Sequence, residues 1–154
     1  MKKLIAVVIA ASWTAAVIAW GGTMADTLGS LAQVKTLKLT TTGRKSGQPR
    51  TAEIWFVVEG DHLFVQAGKA AQKGWLVNIK SNPQVALDIN GTKLRGRATV
   101  ITDPPQRDHV LDLVREKYWR ARLSGWIGSA IGAGTPVRID IVTGDAEPAA
   151  SHPG

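Results

Sequence analysis

A single turn constrains this chain more than any other feature. Gly43-Arg44-Lys45-Ser46-Gly47-Gln48-Pro49-Arg50 joins two β-rich runs, residues 37–41 and 52–58. Glycine lets a backbone turn sharply and proline fixes φ, so the segment reads as the connection of a hairpin. No acid stands between Thr36 and Ala52, which leaves Arg44, Lys45 and Arg50 uncompensated locally. Cations and a hydroxyl set between two glycines suit a concavity where backbone N–H groups and side-chain donors converge on an anion. The plain alternative is a solvated turn kept soluble by its charges.

Around this turn the pattern is that of short strands. Residues 35–41 and 50–58 flank it, and the second is rich in aromatic and β-branched residues. Glu59-Gly60-Asp61 turns into a strand at 62–66, and Asn90-Gly91 is a two-residue hairpin signal between strands at 84–89 and 92–102. In the latter, Lys93, Arg95 and Arg97 share one face, with Leu94, Gly96 and Ala98 on the other. A short helix is expected over 74–80, ended by Ser81-Asn82-Pro83. A longer one begins at Asp103-Pro104-Pro105, with Asp103 as N-cap and an apolar stripe of Val110, Leu111, Val114, Tyr118 and Leu123. A last strand covers 135–142. Six strands joined largely by hairpins predict an α+β chain, mainly β: a small antiparallel barrel with helices at its openings. Alternation places Ile54, Phe56, Leu63, Val65, Val85, Leu87 and Val100 inside it.

The 154 residues suit one domain. The expected division is an apolar segment over 1–25, a linker or helical extension over 26–34, the barrel over 35–143, and a disordered tail over 144–154. Residues 4–20 carry no charge and follow Lys2 and Lys3. They read as a membrane anchor, or as a signal peptide cleaved after Ala25, with a buried core helix as the third alternative. A positive-inside orientation puts the domain outside, so the chain is expected to be membrane-associated or exported, the side left open.

Composition excludes several chemistries. Without cysteine there is no disulfide and no thiol catalysis. His62, His109 and His152 are scattered, so no metal site is expected. No Gly-x-Ser-x-Gly elbow or paired-carboxylate motif points to hydrolysis. The formal charge of +7 gathers around the turn and favours an anionic partner. Nucleic acid is not expected, since no recognition motif or aromatic array accompanies the basic run.

The turn followed by Lys69, Gly74-Trp75-Leu76-Val77-Asn78 and Asn82-Pro83 resembles, in order, the deazaflavin-dependent nitroreductase and quinone-reductase family. The resemblance spans residues 34–101. It implies a split β-barrel, of the flavin-reductase and pyridoxamine-phosphate-oxidase type, that binds coenzyme F-420. It implies hydride transfer from the reduced deazaflavin to a small acceptor, a quinone or a nitro compound. Arg44, Lys45 and Ser46 would meet the coenzyme's phosphate and acidic tail. Arg50, Thr51 and the strand to Trp55 would line the same groove. Ala67, Gly68 and Lys69 would approach phosphate and ring, while Trp75 and Asn78 close the pocket. Tyr118 and Trp119 are the acceptor-side candidates. The chain departs from better-known members by about three fewer residues between Lys69 and Trp75, and by lacking their tyrosines after the long helix. Related split barrels hold flavin mononucleotide or haem, and a basic turn would serve a flavin phosphate equally. A membrane-tethered protein that binds anionic lipid through residues 35–50 is the non-enzymatic alternative. Oligomerisation stays open.

Overall fold

The computed structural model describes residues 22–123 and 134–142. Six strands form one closed antiparallel barrel: β1 (Thr36–Thr42), β2 (Pro49–Glu59), β3 (His62–Ala67), β4 (Gln84–Ile89), β5 (Thr92–Val100) and β6 (Thr135–Ile141). Around the barrel the order is β1-β2-β3-β6-β5-β4. All six expected strands are present, with ends shifted by a residue or two. The β4–β5 hairpin turns on Asn90 and Gly91 with φ of 51° and 88°, the positive values that an Asn-Gly pair tolerates.

The interior follows the alternation read from sequence. Phe56, Leu63, Val65, Val85 and Leu87 are buried, while Ile54 and Val100 are partly buried against them. Two helices close on this core. Helix α1 (Met24–Leu31) occupies part of the stretch expected as linker or extension. Its Leu28 is fully buried in the barrel core. A capping box between Thr23 and Asp26 fixes its start. Helix α2 (Trp75–Ser81) presents Trp75, Leu76 and Ile79 to the same core. A turn of 3-10 helix, Ala70–Lys73, stands where a plain loop was expected.

Helix α3 (Pro104–Leu123) behaves differently from the expectation. It does not plug an opening. Its stripe of Val110, Val114 and Tyr118 covers the outer face of β2 and β3, where it meets Val57 and Phe64. The reason is that those outward positions of β2 and β3 are themselves apolar, so the barrel wall needs cover on both faces. The Asp103 carboxylate accepts from the Gln106 N–H at 3.2 Å, as an N-cap should. Leu123 lies outside the described side chains. So do residues 1–21 and 143–154, and with them the apolar run and the tail. No helix among the described residues is long and apolar enough to cross a membrane.

Two adjacent residues tie α3 to the barrel. Lys117 Nζ donates to the carbonyls of Val34 at 2.9 Å and Phe56 at 2.8 Å, and lies 3.9 Å from the Phe56 ring centre. The Tyr118 hydroxyl accepts from the Phe56 N–H at 3.1 Å. It shares its own proton between the carbonyls of Lys35 at 2.6 Å and Phe56 at 2.8 Å. Burial pushes the Lys117 ammonium down to about 8, although its carbonyl acceptors favour charge. Burial pushes the Tyr118 phenol up to about 12, with its hydrogen bond to Phe56 opposing.

These shifts have opposite consequences for stability. Between about 8 and 10.5 the unfolded chain holds the Lys117 proton that the folded chain has lost, so this group makes stability rise with pH. From 10.0 to about 12 the folded chain holds the Tyr118 proton longer, so this group makes stability fall as pH rises. Denaturant titrations across this range should therefore show a shallower rise for Lys117→Met than for the parent. Tyr118→Phe should lose the fall and be destabilised at neutral pH by about 1–3 kcal/mol, because backbone groups lose their buried partner.

Candidate functional site

The barrel is incomplete along one strand. β2 pairs with β1 along residues Pro49 to Trp55, but with β3 only from Phe56 to Glu59. β3 pairs with β6 along its whole length, leaves β2 beyond Val65, and then runs into the 3-10 turn and α2. The first half of β2 thus has a free edge, with backbone donors and acceptors that no strand takes up. A cavity of about 790 Å³ opens beside it, within the range of small-molecule sites.

One end of the cavity is the basic turn. Arg44, Lys45 and Ser46 line it, with Arg50 on the far shoulder. The turn is closed by its own backbone: Gly43 N–H donates to the Gln48 carbonyl and Gly47 N–H to the Gly43 carbonyl, both at 2.8 Å. The Ser46 hydroxyl accepts from Gln48 N–H at 3.2 Å. Gly43 is needed here for space, since a Cβ would sit 2.6 Å from Ser46 Oγ and 3.2 Å from the Gln48 carbonyl.

Asn78 holds the turn over the cavity. Its Oδ1 accepts from Arg44 N–H at 3.2 Å and its Nδ2 donates to Thr41 Oγ1 at 3.1 Å. The side chain is buried, so one amide couples α2, β1 and the turn through satisfied hydrogen bonds. Trp75 lines the cavity and packs in the barrel core at once, 8% exposed. The wall opposite β2 is built of small residues, Gly68, Ala71 and Gly74, which leaves width for a flat group.

The structure gathers most of the residues expected from sequence and leaves others elsewhere. Arg44, Lys45, Ser46, Arg50, Thr51, Gly68, Trp75 and Asn78 line the cavity. Lys69 is exposed at the head of the 3-10 turn, beside Gly68 but not in the wall. Ala67 points into the core and is fully buried. Trp55 faces outward and stacks on Tyr118, ring centres 4.9 Å apart. Tyr118 therefore belongs to the α3 contact, and Trp119 is 49% exposed beside it; neither lines the cavity. His62 pairs with Asp140 at 3.2 Å and His109 with Glu59 at 2.8 Å, both away from the cavity. No group of His, Asp or Glu among the described residues could hold a metal.

Ala52, Glu53 and Ile54 lie within the stretch from Thr51 to Trp55 expected to line the groove, whereas Gln66 from β3 and Ala71 from the 3-10 turn were not singled out from sequence. Their signal was a length mismatch. A strand of 11 residues followed by one of 6 leaves the far half of the longer strand without that partner.

A six-stranded split barrel with a cation-lined cleft at its split is the class of protein defined by this geometry. The profile of the F420H(2)-dependent quinone reductase family matches residues 14–128, and the chain belongs to that family. It is 35% identical over 82 residues to an F420H(2)-dependent quinone reductase of Mycobacterium tuberculosis, 51% of this chain and 52% of the relative. The chain thus spans about half the length of the curated relatives it matches. Among solved structures it is similar to an F420-H2 dependent reductase, FDR-A, with TM-score 0.52 and 25% identity over 68% of this chain and 92% of that one. The heme storage protein HutZ of Vibrio cholerae shares the fold alone, at TM-score 0.56 and 17% identity over 80% and 93% of the two chains.

Asn78→Leu should leave the Arg44 N–H and the Thr41 hydroxyl without their buried partner, lowering stability by about 1–3 kcal/mol in denaturant titration. Gly43→Ala should disturb the turn more than the barrel. Amide exchange should quicken at residues 43–48 while β3 and β6 stay protected.

Proposed function

We propose that this chain is an oxidoreductase that uses reduced coenzyme F-420 to reduce a quinone. Family membership supports the coenzyme and the reaction, and the cleft supports the binding mode. One observation carries the reading most directly: Arg44, Lys45 and Arg50 converge at one end of a cavity whose other wall is an unpaired strand edge. The residues present fit the coenzyme. A long anion needs cations at one end, and Arg44, Lys45 and Arg50 are the cations that line the cavity beside the turn. A flat head with an amide-like edge needs donors and acceptors in alternation, as an open strand presents them.

When bound, the reduced deazaflavin supplies a hydride and a proton, and the quinone leaves as quinol. The chain's own groups bind and orient. Arg44 and Arg50 offer forked donors to phosphate or carboxylate, while Lys45 adds a point charge. Lys69 extends the positive rim without reaching the wall. Asn78 keeps the turn at the height where its donors face inward. Trp75 and Ile54 give the head an apolar bed and reduce water beside it.

The apolar sequence 4–20 tethers the domain to a lipid surface, within reach of hydrophobic quinones. Retention of that sequence is supported by α1: cleavage after Ala25 would cut between Thr23 and Asp26, the two halves of its capping box, in the first turn of a helix whose Leu28 is core.

Fluorescence titration with coenzyme F-420 tests the site. Arg44→Ala should weaken binding roughly ten- to a hundredfold, because charge-assisted contacts contribute about 1.5–3 kcal/mol each. Arg50→Lys should also lose affinity, and Lys69→Ala less. Added salt should weaken all of them. Arg138→Ala, whose charge faces Asp140 away from the cleft, is the control. If Arg44→Ala and Arg50→Ala bind like that control while folded, the site is misplaced. Salt-sensitive association with anionic vesicles would then favour a lipid-binding module.

A further inference from the structure

β1 and β4 leave a second gap in the barrel wall. Their ladder runs only from Lys38 to Thr40 on β1, against Asp88 to Ala86 on β4. β1 continues to Thr42 beside β2, and β4 begins at Gln84 beside β5, so these two ends are not paired with each other. A cavity of about 500 Å³ opens there. None of the described residues that line it also lines the coenzyme cleft.

The gap is cationic. Arg95 and Arg97, both exposed, come to it from β5, and there is no carboxylate among the described residues that line it. The two arginines are about 7 Å apart at the rise of an extended strand. Gly96 and Ala98, which alternate with them, are buried, so the arginines stand on the outer face of the barrel. Thr40 and Thr42 on β1 and Gln84 and Ala86 on β4 stand on that same face, by the same alternation of burial. Arg95, Ala86 and Thr40 form one register row. The small Ala86 leaves space for a guanidinium to lie across β4 towards the gap. The acids in the neighbouring rows have other cations: Asp88 meets Lys93 at 3.2 Å, and Asp140 meets His62 at 3.2 Å and Arg138 at 3.1 Å.

Two guanidiniums faced by a hydroxyl and an amide make a donor set for a tetrahedral oxyanion. From this arrangement we propose that the gap is a second anion site, separate from the coenzyme cleft, that takes a phosphate group. Arg95 and Arg97 supply forked donors, and Thr42 and Gln84 supply neutral ones from the facing strand ends. Val142, 60% exposed on the rim, gives the carbon part of the ligand an apolar rest. A soluble phosphate ester and the headgroup of an anionic lipid present the same oxygens to these donors.

Amide resonances of the isotope-labelled full chain test the site. Pyrophosphate is the probe for a soluble ester. Dihexanoylphosphatidylglycerol, below its micelle concentration, is the probe for a headgroup, with dihexanoylphosphatidylcholine as the zwitterionic reference. At constant ionic strength, an anionic probe should shift residues 40–42, 84–86 and 95–97 saturably, and the tighter-binding probe identifies the source. Arg97→Gln should weaken that response about tenfold, while any shifts at the basic turn, residues 43–48, keep their midpoint. Arg97→Lys keeps the charge but loses the fork, so its loss should be intermediate. Lys93→Gln should change the response less than twofold. If neither anionic probe moves these amides more than the zwitterionic reference does, the inference is overturned. It is overturned equally if Arg97→Gln and Arg97→Lys respond like the parent. Either result leaves the coenzyme reading untouched.

Discussion

The rest of the structure depends on how far β2 is paired. Along its second half, Phe56 to Glu59, it pairs with β3, and β1 reaches only as far as Trp55. Along its first half only β1 holds it, because β3 parts from β2 beyond Val65 and keeps only its pairing with β6. An open edge in a small barrel is a liability when it faces solvent, since unpaired N–H and C=O groups invite another chain. Here the edge faces a cleft roofed by the 3-10 turn and α2. The split is thus protected from edge-to-edge pairing and kept available for a ligand.

Two buried polar arrangements keep that geometry, and they work at different places. On the outer wall, Lys117 and Tyr118 bind backbone groups near the start of β1 and the middle of β2. They hold α3 where β2 passes from pairing with β1 to pairing with β3, at Trp55 and Phe56. Over the cleft, Asn78 binds β1 and the turn together. Both use side chains to satisfy backbone groups that the interrupted ladder leaves behind, as buried polar groups require. The cations themselves remain exposed, held by a turn whose shape is set by its own backbone bonds.

Much of this was legible in the chain. Period-two alternation located the barrel interior, because burial on one face imposes it, and Asn90-Gly91 located a hairpin by its demand for positive φ. The basic turn was legible because charge without nearby acids, between glycines, is locally conspicuous. Other features depended on contacts between distant segments. The stripe on α3 announced a buried face but not that its cover was the outside of β2 and β3. Trp55 and Tyr118, read as cofactor and acceptor residues, are 63 positions apart in sequence numbering and stack on each other instead. Lys69 matched a pattern, yet its backbone carries it to the rim. Gln66 looked like an unremarkable strand position, and only the divergence of β3 from β2 brings it to the cavity.

Whether the cleft is a coenzyme F-420 site is tested most directly by side-by-side equilibrium titration of the full chain with F-420, flavin mononucleotide and haem. Saturable binding of F-420 at one site per chain, weakened by salt and by Arg44→Ala, is the predicted result. Saturable binding of flavin mononucleotide or haem with none of F-420 would contradict it.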